Sequence, residues 1–194
     1  MGRPRVDDER REQILSAFET CVARKGLPKT TLQDVADESG LPRPLVRYFV
    51  GNRSDMVGRL IDRMVERAEK ELGDLPGGGS ELMMEGLLDV LFTKTFSNET
   101  TNIIIDELWY LAGRDEDIRA RLHVLYADLR KRIVLQMEQE GYGRNKSHRE
   151  DIAQALMSLG YGDASFKFLN LDRKTSTRAM AGILMASAQA VSAD

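Results

Sequence analysis

The sequence predicts an all-α fold of about nine helices, and three observations predict it. Apolar residues recur at three- and four-residue spacing through most of the 194 residues. All five prolines lie at or before Pro76, so residues 77–194 contain none, as a body of helices requires. A composition 42% hydrophobic and 30% charged reads as soluble and globular, with length enough for a small domain followed by a larger one.

The elements follow in order. A first helix over about 8–25 carries Ile14, Leu15, Phe18, Cys21 and Val22 on one face. Asp7 or Asp8 can cap its start, and Gly26 can close its end in a left-handed conformation. A second helix starts near Thr30 or Thr31 and stops before Gly40; a third runs from Pro42 to about Val50. A fourth starts after Asn52, with Asp55 facing back towards the cap, and carries a long stripe from Met56 to Leu72. The segment GDLPGGGS, residues 73–80, reads as a flexible loop between helices. Further helices are expected over about 81–92 and 98–112, then from near Asp115 to before Gly141. An eighth opens at Ser147-His148-Arg149-Glu150, which has capping-box spacing, with a bend possible at Gly160 and Gly162. A ninth covers about 175–191.

Composition also bounds function. The formal charge is −3, but residues 1–53 carry ten Lys/Arg against eight Asp/Glu, while the rest carries eighteen against twenty-three. A nucleic-acid partner needs a local basic face, not a basic protein. The single cysteine, Cys21, allows no internal disulfide and reads as a small buried side chain. His123 and His148 are the only histidines and lack a cysteine partner, so neither a metal site nor a cofactor is expected. No apolar run approaches the ~20 residues that span a membrane, and no signal peptide is apparent, so a cytoplasmic location is expected.

The informative stretch is TTLQDVADESGLPRPLVRYFVGNRSDM, residues 30–56. Two short helices that pack closely through a sharp turn need a small residue inside the first, and Ala36 supplies it. They need a residue tolerant of the left-handed turn, and Gly40 supplies that. Val35, Leu41 and Val46 can pin the second helix, and Pro42 suits a first turn. The block therefore reads as a helix-turn-helix, with residues 1–53 as the DNA-binding domain and 54–194 as a second, larger domain. Arg43 lies where recognition helices meet base edges, and arginine is the commonest bidentate reader of guanine. Pro44 and Leu45 can touch thymine methyls, and the Tyr48 phenol can reach phosphate or base, or pack half-buried. Phe49 and Val50 read as core, and Thr30 and Asn52 as caps. Arg3 and Arg5 can enter the minor groove as an arm.

This block resembles the DNA-binding domain of the TetR family of bacterial regulators. Gly26, Thr30, Thr31, Val35, Ala36, Gly40, Leu41, Pro42-Arg43, Asn52 and Arg53 match the family pattern without a gap from Thr30 to Met56. The resemblance implies phosphate contacts at Thr31 and Arg53, both at helix N-termini that offer free N–H groups. Three positions depart from it: Leu45 replaces a small hydroxyl residue, Arg47 a tyrosine, and Phe49 a frequent histidine. An arginine at 47 can meet a phosphate or a base.

For the rest of the chain only helix count and order match. The resemblance implies a small-molecule pocket in the larger domain and a homodimer formed by helices 8 and 9. Phe92, Trp109, Tyr110, His123, Tyr126 and Met137 are the candidate effector residues, and each is also readable as core. Trp109 and Tyr110 beside Asp106 and Glu107 can form a cage for a cation or an aromatic compound, or the acids can simply face water. Small residues in the ninth helix, among them Ala181, Gly182 and Ala188, would let a partner helix approach. The expectation is thus a ligand-responsive homodimeric repressor that binds a palindromic operator in double-stranded DNA and is released by a small-molecule effector. Two alternatives stand beside it: a small all-α enzyme, for which no convergent nucleophile, base or metal cluster is visible, and a DNA-binding regulator without an effector.

Overall fold

Burial follows the helical spacing. The computed structural model describes residues 3–73, 83–95, 98–171 and 176–190. Among the described residues the elements are α1 (Arg3–Lys25), α2 (Leu32–Ser39), α3 (Arg43–Val50), α4 (Arg53–Gly73), α5 (Met84–Asp89), a π-helical segment Val90–Thr95, α6 (Glu99–Ala112), α7 (Glu116–Gln139), α8 (Lys146–Phe168) and α9 (Thr177–Ala190), with no strand. The glycine-rich loop beyond Gly73 and the side chains of Arg3 and Arg5 lie outside the described residues.

Three local expectations are corrected. Asp7 and Asp8 lie inside α1 rather than capping it, because Pro4 is tolerated in a first turn and the helix begins earlier. Asp8 instead pairs with Arg11 one turn on, at 3.1 Å. The cap of α8 is Asn145, whose Oδ1 accepts from the His148 N–H at 2.9 Å; Ser147 is already helical. Asparagine caps as well as serine, so the earlier residue takes the role. The helix expected over 81–92 passes into the π-helical segment after Asp89. By contrast α8 runs as one helix through Gly160 and Gly162.

The chain divides into two compact units. The first takes in Met1–Glu66 with Ile103–Leu122, and so extends past residue 53 to include the start of α4 and most of α6. There α1 packs on α2 and α3, and α2 on α3. Ile14, Phe18, Val22, Leu27, Val46, Leu60 and Leu108 are buried. One charged group joins them. Arg63 of α4 is buried, with Nη2 2.5 Å from Glu12 Oε1 and Nε 3.5 Å from Glu19 Oε1, both on α1. Glu19 is buried too, so this ion pair sits where an unpaired charge would be costly.

The second unit takes in Arg67–Asn102 with His123–Asp194. Its described interior is one apolar cluster that includes Met84, Leu87, Phe92, Ile133, Met137, Leu156, Ala181 and Met185. α9 packs on both α8 and α5. Ala181 and Ala188 are fully buried and serve close packing within this chain, whereas Ala179 and Ala186 are exposed. No described helix is long and apolar enough to cross a membrane.

Candidate nucleic-acid interface

The interface is built from two capped turns. Thr31 caps α2: its Oγ1 accepts from the Asp34 N–H at 3.2 Å, and Asp34 Oδ2 accepts from the Thr31 N–H at 2.7 Å. The Lys25 ammonium of α1 lies 2.5 Å from Asp34 Oδ1. Lys25 first, and then the Thr31 hydroxyl and N–H, hold the Asp34 carboxyl well below the usual carboxylate range. Thr30 does not cap α2. It is buried, and its hydroxyl donates to the Gly26 carbonyl at 2.8 Å, closing the end of α1.

The helix-turn-helix corner is Gly40, at φ +67°, a left-handed conformation that a side chain with a Cβ adopts only at a cost. The N–H groups of Gly40 and Leu41 both reach back to the Ala36 carbonyl. Pro42 then sits just ahead of α3, and Pro44 falls in its first turn, where a missing N–H leaves no helical bond unmade.

This entry sets the rotation of α3. Val46, Phe49 and Val50 face the core, and Leu45 is half-buried at its edge. Pro44 and Tyr48 are exposed on the opposite side, and Arg43 and Arg47 are exposed along the flank of the buried stripe. Tyr48 is 78% exposed, with its ring edge-on to Phe49 at 5.2 Å, so its hydroxyl is not part of the core. Neither Arg43 nor Arg47 has a hydrogen-bonded or ionic partner among the described residues, whereas Arg24 pairs with Glu38 at 3.0 Å.

Arg53 opens α4 just behind a second capping box, in which Asn52 and Asp55 exchange side-chain-to-backbone bonds at 2.9 and 3.1 Å. One face of its guanidinium is occupied: Nη2 donates to the Leu27 carbonyl at 2.6 Å. The Leu27 N–H in turn donates to Glu107 Oε2 of α6 at 2.9 Å, across eighty residues of sequence. The two polar groups of Leu27 are thus held from α4 and from α6, and a Cβ at Gly26 would come within 2.9 Å of the Glu107 carboxylate. No sequence signal pointed to this role of Glu107, nor to the Arg63–Glu12–Glu19 cluster. A buried glutamate partner on another helix has no local signature.

The effector candidates are distributed between the units. Trp109 and Tyr110 belong to the first and are exposed. Glu107 faces Leu27 rather than an aromatic cage, and the face of Tyr110 carries the chain's own Arg114 guanidinium at 4.1 Å. In the second unit, Phe92 and Met137 share the apolar cluster, Tyr126 is half-buried and His123 is exposed. His148 Nδ1 accepts from the Arg144 N–H at 3.2 Å. Among the described residues no three His, Cys, Asp or Glu side chains converge as metal ligands.

No protein-family model matches the chain. It is 27% identical over 133 residues to an uncharacterized helix-turn-helix regulator of Lactococcus lactis, covering 64% of this chain and 66% of that protein. It is 33% identical over 58 residues to the regulator TtgR of Pseudomonas putida, covering 30% and 28%. The matches therefore span just under two thirds and under a third of those relatives' lengths. Likeness in structure is wider. A TetR-family regulator from Rhodococcus sp. superposes with TM-score 0.74 at 20% identity, covering 96% of this chain and 100% of its own. A regulator from Saccharomonospora viridis, solved in complex with choline, gives 0.68 at 18% identity, covering 91% and 94%. These proteins are described as transcriptional regulators. In fold the chain is similar to TetR-family transcriptional regulators, and part of it is similar in sequence to helix-turn-helix regulators.

Proposed function

We propose that the chain is a homodimeric repressor that binds a palindromic operator through α3 and is released by a small-molecule effector. The observation that carries this reading is the outward face of α3. Arg43 and Arg47 stand one turn apart beside an exposed Tyr48, with no partner among the described residues to hold their guanidinium groups. Surface arginines without internal partners at a helix-turn-helix are placed to meet the phosphates and base edges of a major groove. Thr31 and Arg53 flank that face at helix starts suited to phosphate, although each also serves the fold through the bonds described above. Arg3, Arg5, Pro44 and Leu45 complete the proposed contact set, with residues 1–53 as the DNA-binding domain and 54–194 as the effector-binding and dimerisation domain.

Dimerisation through α8 and α9 is supported by apolar side chains left in solvent. Phe166 is exposed on α8, Leu169 and Leu171 just beyond it, and Ile183 on α9. A second copy would bury them, and two heads on one palindrome add affinity. The effector reading is supported by the choline complex of the Saccharomonospora regulator, which has the same fold. Its proposed contacts in the second unit are Phe92, His123, Tyr126 and Met137; Trp109 and Tyr110 are proposed separately, as effector residues of the first. Met137 is fully buried, so an effector that reaches it enters the apolar cluster. A coupling of about 1–3 kcal/mol would change operator affinity about 5- to 150-fold. The protein would act in the cytoplasm, where its DNA lies.

The test is selection from a random duplex pool followed by footprinting. Enrichment of an inverted repeat is expected; recovery of no preferred sequence would remove the proposal.

A further inference from the structure

We infer that Arg47, together with Arg43, reads bases, so that each operator half-site carries two G·C pairs within about two base steps. This rests on the operator-binding reading above. The first observation is one of supply. Several arginines of the same unit are held internally, Arg24 by Glu38, Arg53 by the Leu27 carbonyl, Arg63 by Glu12 and Glu19, and Arg121 by Asp62; Arg59 is half-buried and makes no such bond among the described residues. Arg43 and Arg47 are exposed and have no such partner among the described residues, so both planar forks are available to a ligand.

The second observation is one of placement. The two residues are four apart on α3, one turn from each other, and both are exposed beside the buried stripe of Val46 and Val50. Four residues advance a helix by about 6 Å, while successive base pairs stack about 3.4 Å apart. Two side chains so spaced on a helix lying in a major groove meet bases no more than about two steps apart. Both belong to the stretch of α3 that bears the exposed face, and no described acidic group holds either back towards the protein. The third observation concerns competitors. Phe49 is buried, Leu45 is half-buried, and Pro44 has no donor, so arginine and Tyr48 supply all the side-chain hydrogen-bond donors on this face. Guanine offers O6 and N7 as paired acceptors in the major groove, and the arginine fork matches them bidentately.

The test uses the full chain and four proteins: wild type, Arg43→Ala, Arg47→Ala and Arg47→Gln. Each is put through selection from a random duplex pool, and its affinity for the wild-type site is measured against salt concentration. Wild type is expected to select half-sites with two G·C pairs within about two steps. Arg47→Ala should relax preference at one of them, with a loss of about 5- to 150-fold on the parent site. Arg43→Ala should relax the other. Arg47→Gln should shift preference at its position from guanine towards adenine, since glutamine pairs with adenine N6 and N7. Circular dichroism checks that the variants fold; both positions are exposed, and the glutamine variant reports independently of the alanine one. If Arg47→Ala weakens binding equally on all sequences and lowers the salt slope by about one, Arg47 contacts phosphate and the inference is overturned while operator binding stands. An unchanged preference and affinity would also overturn it. A wild-type protein with no sequence preference would instead overturn the operator reading itself.

Discussion

Both units have an apolar core and long-range polar ties, but the first also buries the Arg63–Glu19 ion pair, while the described interior of the second is an apolar cluster. In the first, Arg63 meets Glu12 and Glu19, Arg53 meets Leu27, Glu107 meets Leu27, and Gln13 donates to the Ser39 carbonyl at 2.7 Å. In the second, Met84, Leu87, Ile133, Met137 and Leu156 fill the centre, and polar ties ring it, from the Met84 N–H on Glu140 to Arg178 on Asp89 and Arg132 on Glu69. The two kinds of contact differ in what they tolerate. A hydrogen bond fixes distance and angle, and one lost partner leaves a buried group unsatisfied. Apolar packing accepts a change of shape if volume is kept.

Three substitutions probe that contrast. Arg63→Met should have the largest effect, about 3–5 kcal/mol, because it removes a buried charge that pairs with Glu12 and Glu19. Urea unfolding measures it, and a cost near zero would show that the ion cluster does not hold α1 to α4. Met137→Leu makes the opposite point in the second unit. It keeps volume in a fully buried site and should cost less than about 1.5 kcal/mol by the same method. A larger loss would mean that this interior is as exacting as the head. The smallest effect concerns pH. Asp34 is held ionised by Lys25 and by Thr31, so its pairing contributes fully above the ordinary carboxylate pKa of about 3.9 and is lost as pH falls towards the depressed value. The gap in Tm between wild type and Asp34→Asn should therefore stay constant from about pH 5 to 8 and narrow below about pH 4. A gap independent of pH in acid would dissociate the carboxylate from the stability of this corner.

What was legible in the sequence was local. Gly26 and Gly40 close their helices at positive φ, Asn52 and Asp55 cap α4, and Phe49 and Val50 are buried, all as their spacing implied. These signals act within about four residues, which is the reach of a cap or a helical stripe. Errors of local reading came where two residues compete for one role, as with Asn145 and Ser147, or Thr31 and Thr30. The long-range ties were invisible. Glu107 resembles any helical glutamate until the fold brings it to an amide eighty positions away. Arg63 likewise looks like a solvent-facing charge between Asp62 and Met64, yet it is buried. On α3 the sequence left Tyr48 between reaching DNA and packing half-buried, and the structure leaves it exposed. Which bases α3 meets depends on the DNA, and no intramolecular pattern encodes that.

Leu27 carries one further consequence, for chain length. Connections between helices are ordinarily where insertions and deletions are tolerated. Here the residue just after Gly26 presents its N–H to α6 and its carbonyl to α4. Removing one residue from the last turn of α1 would swing the following backbone by about 100° around the helix axis. Neither Glu107 nor Arg53 would then find its partner. The short turn between α1 and α2 is therefore a fixed-length spacer, and related chains that keep both side chains should keep its residue count as well.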